Sequence, residues 1–358
     1  MTPSTPAPAA APRTARRATA ATVPLAVALA LLGGCADARP ADEPADARVT
    51  AAAPDDAATD DAADAFPVTV DNCGFDVTVD APPERVVTIK SSATEMLLAL
   101  GLGDRIVGTG FPDGPVPQEW AQDAGDLPLL SDRVPSAEVV LGTEPDLVYA
   151  GWESNLTAEG AGDRAVLADL GVATYVSPSA CKDPAYQPDR LTFASVFAEI
   201  VEVAALLGAP EAAEELVAEQ EDALAGVVPD DRGLTALWYS SGTDIPYVGA
   251  GIGAPQMVMD ALGLTNIAGE VADTWTSFGW EQVAAVDPDV IVLVDATWNT
   301  AEAKRELLAS NPVTANLTAV QQERYLVVPF AGSEAGVRTV PATVDLAAQL
   351  AALDLTGR

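Results

Sequence analysis

One pattern occurs twice in this chain. It reads Ser136-Ala137-Glu138-Val139-Val140-Leu141-Gly142-Thr143-Glu144-Pro145-Asp146-Leu147-Val148-Tyr149, and it returns as Gly279-Trp280-Glu281-Gln282-Val283-Ala284-Ala285-Val286-Asp287-Pro288-Asp289-Val290-Ile291-Val292. In each copy a glutamate, Glu138 or Glu281, opens a short apolar segment, a Pro-Asp pair follows, and an apolar run closes the unit. That order predicts a short helix, a turn and a buried strand. A second pair lies outside the first: Met96-Leu97-Leu98-Ala99-Leu100-Gly101-Leu102 matches Val258-Met259-Asp260-Ala261-Leu262-Gly263-Leu264. Glycine closing an apolar segment is a helix C-cap signal. Each copy leads to a glycine-ended apolar step, Ile106-Val107-Gly108 and Ile267-Ala268-Gly269.

Working outward, apolar strand candidates stand at 85–89, 173–177, 236–240 and 325–330. Strands alternating with helices argue for parallel α/β sheets. The chain therefore reads as one α/β unit present twice: a first lobe over 66–191 and a second over 229–358. A helical stretch over 192–228 joins them. Gly208-Ala209-Pro210 breaks that stretch, and Pro210 suits the first turn of a new helix. From Pro210 to Val227 a helix would run ~27 Å at ~1.5 Å per residue, long enough for a strut between lobes.

The N-terminal 34 residues read as an export signal. Arg13, Arg16 and Arg17 precede an apolar run over 20–32, with no acid before Asp37. The run is shorter than the ~20 residues a membrane-spanning helix needs. It ends in Leu32-Gly33-Gly34-Cys35, small residues ahead of a cysteine. This order resembles the lipobox of bacterial lipoproteins, in which the cysteine, here Cys35, becomes the lipid-bearing N-terminus. The expected location is the outer face of the cell membrane. Residues 35–65, dominated by Ala, Asp, Pro and Thr, cannot bury enough surface to offset chain entropy and read as a disordered acidic tether.

Composition excludes several functions. The net charge of −35 argues against nucleic acid, whose binding needs a basic face. There is no histidine. This removes Ser-His-Asp and Cys-His catalysis, histidine-rich zinc sites and the commonest haem ligand. With Cys35 assigned to lipid, Cys73 and Cys181 form an even pair in an oxidising compartment, which suggests a disulfide; two buried thiols are the alternative.

The segment from Cys73 to about Leu353 resembles the substrate-binding proteins for iron-siderophores, haem and cobalamin that serve ABC importers. The resemblance rests on Pro83-Glu84-Arg85-Val86-Val87, Thr94-Glu95 with Leu100-Gly101, and the two Glu-x6-Pro-Asp segments, in order. It implies two Rossmann-like lobes joined by a single long helix, the class III periplasmic-binding-protein fold. It also implies a monomer that delivers a small molecule to a permease dimer with a cytoplasmic ATPase. Glu138 and Glu281 take the positions that dock into arginine pockets on the permease; a guanidinium–carboxylate pair is bidentate and charge-assisted. The resemblance implies neither catalysis nor an intrinsic cofactor, with metal present only inside a bound chelate. One actinobacterial branch, proposed to import a deazaflavin coenzyme precursor, is similar at Val87-Thr88-Ile89-Lys90-Ser91, Tyr247-Val248-Gly249-Ala250-Gly251 and Asp295-Ala296-Thr297-Trp298-Asn299. A surface sensor lipoprotein without its own permease is the competing class.

In open α/β sheets, ligands bind beyond the carboxyl ends of the strands. That rule nominates Lys90, Ser91, Ser92, Phe111 and Trp152 from the first lobe, with Trp238, Tyr239, Tyr247, Gly251 and Trp298 from the second. Trp275 and Phe330 stand near the same ends, and Asp295 is the one acid among them. The glycine-rich loop 249–253 and Ser91-Ser92-Ala93-Thr94 each precede a repeated helix. Two helix N-termini facing across a cleft would favour an anionic ligand with carboxylate, phosphate or catecholate groups.

Overall fold

The computed structural model describes residues 65–355; Cys35, the export signal and most of the tether lie outside them. An antiparallel hairpin, β1 (Val68–Asn72) and β2 (Phe75–Val79), leads into the first lobe. There β3 (Val86–Ile89), β4 (Ile106–Gly110), β5 (Leu129–Ser131), β6 (Leu147–Ala150) and β7 (Ala173–Val176) form a wholly parallel sheet in the order β5-β4-β3-β6-β7. Every residue of β3 and β6 is buried. Continuous apolar runs of this kind belong to parallel strands covered on both faces.

The second lobe contains β8 (Thr235–Ser241), β9 (Tyr247–Gly249), β10 (Thr265–Asn266), β11 (Trp275–Ser277), β12 (Val290–Asp295) and β13 (Tyr325–Pro329). Its sheet is mixed. The order β11-β9-β8-β12-β13 carries β10 on the start of β8, and the two pairings of β9 are antiparallel. The second copy of the repeat is therefore incomplete. The step expected at Ile267-Ala268-Gly269 is not a strand; only the two preceding residues, β10, pair in parallel with β8 at Thr235 and Ala236. The far end of the same edge is taken by the β9–β11 ladder, so the lobes differ where the ligand cleft forms.

The repeated Pro-Asp pair has a shared structural job. Asp146 accepts hydrogen bonds from the Glu84 and Arg85 amides at 2.8 and 3.0 Å, fixing the entry to β3. Asp289 does the same for β8, accepting from the Thr235 amide and hydroxyl, each at 2.9 Å. Each aspartate thus supplies an acceptor to a neighbouring chain end, which accounts for its recurrence at one position of the unit.

Thr192 caps the helix Phe193–Leu207 by accepting from the Ser195 amide at 3.1 Å. Ile200, Val203, Ala204 and Leu207 bury one face of it in the first-lobe core, while Val196 packs with Ala254, Met257 and Ala335. Gly208 ends it at φ 70°, where a Cβ would also strike Pro82 at 2.9 Å. Pro210 then opens the helix Pro210–Ala225, which packs on the preceding helix and on the C-terminal helix Thr339–Ala352. The connecting stretch is thus two helices packed on each other, the first belonging largely to the first-lobe core. Gln220 Nε2 donates to the Val337 carbonyl at 2.8 Å and ties the second to the second lobe.

Cys73, at the hairpin turn, is bonded to Cys181 with Cα atoms 5.3 Å apart. Both lie in a core cluster with Val87, Ile89 and Val148.

Candidate functional site

Each sheet reverses its winding between two central strands, β3 and β6 in the first lobe and β8 and β12 in the second. Crevices form at such switch points, and the residues leaving these four strands build the site. Lys90 follows β3, Trp152 follows β6 by two residues, Ser240 and Ser241 end β8, and Trp298 lies just beyond β12.

Lys90 and Phe111 both have left-handed backbones, at φ 84° and 53°. For non-glycine residues this conformation is unfavourable by ~1–3 kcal/mol and persists where the surroundings dictate it. It turns Lys90 inward. Its side chain is fully buried, and Nζ donates to Asp113 Oδ1. The ammonium lies 3.8, 4.2 and 4.6 Å from the ring centroids of Trp152, Phe111 and Phe330. Burial pushes the Lys90 amine down and the Asp113 carboxyl up, and the charge of each partner opposes the shift. Asp113 also accepts from the Ser91 amide at 3.3 Å, while its own amide donates to Ser91 Oγ at 2.9 Å.

The Asp113 pairing corrects the paired-helix reading of the cleft. The N-terminus of the helix Ser91–Ala99 is occupied by the protein's own carboxylate. The opposing helix, Ala254–Ala261, has Pro255 in its first turn and so lacks that amide. Gly251 is likewise misread as a point of ligand approach. A Cβ there would lie 2.1 Å from the Gly269 carbonyl oxygen and 2.8 Å from that of Val271, so this glycine serves close packing within its own lobe.

Two adjoining cavities occupy the space between the lobes, of about 320 and 340 Å³, sharing Trp152, Tyr247, Trp275 and Glu334 in their walls. The first extends to Glu153, Lys182 and Asp273, the second to Ser240, Ser241, Trp298 and Phe330. Small-molecule sites are commonly apolar clefts of this scale carrying a few placed polar groups. Trp298, half exposed, meets Phe330 edge-on at 5.5 Å, and Phe330 meets Trp152 at 6.0 Å. Opposite, Tyr247 and Trp275 stack at 6.1 Å because β9 and β11 are paired.

Of the residues expected at the strand ends, Trp152, Tyr247 and Trp298 line the cavities, as do Trp275 and Phe330 and, from the same loops, Lys182, Ser240 and Ser241. Lys90 and Phe111 lie behind the wall. Ser91 is used in the Asp113 cap, and Ser92 is buried beside Gly151 and Gly336. Trp238 and Tyr239 are not in the cleft. Trp238 is fully buried in the second-lobe core; Tyr239 packs edge-on to Trp280 at 5.2 Å and donates to the Gly242 carbonyl at 2.6 Å. Strand β8 runs on to Ser241, so its mouth is Ser240-Ser241. Asp295 is absent from both linings; its carboxylate accepts from the Ala301 amide at 2.7 Å. The acids that do line the cleft, Glu153, Asp273 and Glu334, were not foreseen. Glu334 stands out: it accepts from Trp152 Nε1 across the lobes at 2.8 Å, and burial raises its pKa.

Other bonds span the lobes. The Thr297 amide donates to the Asp113 carbonyl at 3.1 Å, Arg338 pairs with the buried Glu95 at 3.0 Å, and Arg190 pairs with Asp260 at 2.7 Å. Desolvation raises Glu95 to about 7 in spite of Arg338.

Glu138 and Glu281 are exposed, each in the first turn of its short helix, Ala137–Leu141 and Trp280–Val286. Neither takes part in an ion pair among the described residues.

Two α/β lobes closing on an aromatic cleft define a solute-binding protein. Residues 86–331 match the periplasmic binding protein family, and the chain belongs to it. Proteins of this family bind substrates for ABC transporters. A Bacillus subtilis (strain 168) protein described as an uncharacterized ABC transporter substrate-binding lipoprotein, YvrC, is 25% identical over 332 residues, 90% of this chain and 94% of the relative. A cobalamin-binding protein of Halobacterium salinarum is 28% identical over 319 residues, 85% of this chain and 76% of the relative. Among solved structures, one described as an ABC-type Fe3+-hydroxamate transport system from Saccharomonospora viridis DSM 43017 superposes with a TM-score of 0.71. It is 25% identical and spans 80% of this chain and 100% of its own. A periplasmic binding protein from Veillonella parvula gives 0.69 at 24% identity, spanning 81% and 98%, a likeness of fold.

Proposed function

We propose that this chain is the extracytoplasmic solute-binding component of an ABC importer, anchored through lipid on Cys35 and working as a monomer. It captures a bulky organic ligand, such as a ferric chelate or a corrinoid, between its lobes and catalyses no reaction. The observation that carries this reading is the interlobe cleft, where aromatic rings from both lobes meet at the switch points of two sheets. The relatives described as cobalamin-binding and as part of Fe3+-hydroxamate transport support the ligand class. Glu138 and Glu281 would dock the protein, since they stand at equivalent, exposed positions on the two lobes. The test is ligand uptake in cells carrying Glu138→Ala or Glu281→Ala, with ligand affinity measured on the same variants by calorimetry. Reduced uptake with affinity intact supports docking. Weakened affinity would move either residue into the ligand site or the fold, and unchanged uptake in both would remove the docking role.

A further inference from the structure

We infer that the cleft is built for a ligand that presents a cationic group, seated against Trp298, Tyr247 and Trp275 with Glu334 as its counter-ion. This rests on the solute-binding reading above and names the ligand's charge within it.

The cavity of about 340 Å³ has five aromatic side chains, two serines and one charged residue, Glu334, in its wall; no lysine or arginine lines it. The adjoining cavity adds Glu153 and Asp273 against a single base, Lys182. The chain itself shows what such rings hold. The Lys90 ammonium is kept out of water by the faces of Trp152, Phe111 and Phe330. An aromatic face attracts a cation through its quadrupole, more strongly when water is excluded.

The charge of Lys90 stabilises the Glu334 carboxylate only in part, from behind the aromatic wall. Lys90 is bonded to Asp113, and Glu334 forms no ion pair among the described residues. One oxygen of Glu334 accepts from Trp152. Burial raises the pKa of this carboxyl in spite of the Lys90 charge and the Trp152 bond, so a cation seated directly against it would favour its ionised form. Two of the large rings nearby, Tyr247 and Trp298, are 43% and 50% exposed, so their surfaces are open to a ligand. An anion would meet one to three carboxylates at the cavity surface, with the nearest buried base, Lys90, screened behind the Trp152 and Phe330 rings and already paired with Asp113. A ligand ammonium, or a chelate of net positive charge, would meet ring faces and Glu334 together.

Tryptophan fluorescence titration of the purified chain tests this with four probes. They are tetramethylammonium, a ferric trihydroxamate with a free terminal ammonium, the same chelate with that amine acetylated, and an anionic ferric tricatecholate. Sodium chloride at matched ionic strength is the control. The expected result is that the ammonium chelate binds at least about tenfold more tightly than its acetylated form, as a cation against aromatic faces and a carboxylate allows. Tetramethylammonium should compete with it. In Glu334→Gln, whose amide oxygen can still accept from Trp152, the ratio between the two hydroxamates should fall to about one. Tighter binding of the anionic chelate overturns the cation assignment while the solute-binding reading stands. Equal affinity for the free and acetylated hydroxamates, or no response to either cationic probe at millimolar concentration, overturns it as well. A chain that binds none of the four probes and carries no ligand from its own host removes the solute-binding reading too.

Discussion

Glu199 offers a sharp test of the first-lobe core. It lies on the helix Phe193–Leu207, is 5% exposed, and accepts from the Tyr149 hydroxyl at 3.1 Å near the end of β6. Burial, opposed by hydrogen bonds from Ser177 and Tyr149 and reinforced by Glu202, raises its carboxyl from 4.5 to about 7. A carboxyl raised on folding holds its proton more tightly in the folded chain, so stability falls as pH rises from the lower value through the upper one. Each pKa unit corresponds to about 1.4 kcal/mol, so the full effect above both values is about 3 kcal/mol. Between about pH 5 and pH 8 most of it, about 2–3 kcal/mol, should be lost, because the unfolded carboxyl is already largely ionised at the lower pH. Glu199→Gln presents a neutral acceptor to Tyr149 at every pH and removes this loss. Urea unfolding of both proteins across this range is the assay. The stability difference, variant minus wild type, should climb by about that amount toward high pH. Parallel curves would show that Glu199 is ionised or solvated throughout, and the account of this buried acid would fail.

Further outcomes are expected from other parts of the molecule. Reducing the Cys73–Cys181 bond, which closes a loop of 108 residues, should lower stability by up to about 4–5 kcal/mol; unchanged thermal unfolding under reductant, with thiol release verified, would contradict that. Gly251→Ala should destabilise the fold by several kcal/mol, since its Cβ would lie 2.1 Å from a backbone oxygen; a fully stable variant would show that the 251 and 269 segments can separate. Arg338→Ala leaves Glu95 buried without its partner, so the variant should lose more stability at pH 8 than at pH 5, because Glu95 ionises near about 7. A loss independent of pH would indicate that packing, not charge, is what Arg338 supplies.

The two-lobed plan was legible because the Pro-Asp unit recurs. Its aspartates hold the entries to β3 and β8, a requirement that follows from local chemistry and so leaves a local sequence mark. Glu138 and Glu281 share that unit, so their matched, exposed positions on the two lobes were legible for the same reason. Trp238 and Tyr239 were misplaced because β8 is buried on both faces. With no polar alternation to mark where the sheet ends, Trp238 and Tyr239 were read as part of its mouth, although both stay buried and the strand runs on to Ser241. The β9–β11 ladder went unseen since each strand has three residues and the pairing partners lie far apart in sequence. Asp113 and Glu334 were missed for a related reason: each matters through a contact made only in the folded chain, with Lys90 or with Trp152. The paired helix N-termini were misjudged for the same reason: the sequence does not show that Asp113 already sits on one of them.

The central claim is that the aromatic cleft holds a solute, and native mass spectrometry of the chain purified from its own host tests it most directly, run beside a Tyr247→Ala/Trp298→Ala variant prepared in the same way. The account expects one organic molecule per wild-type chain and its absence from the folded variant. A wild-type chain that carries no ligand, or a variant that retains it undiminished, would contradict the claim.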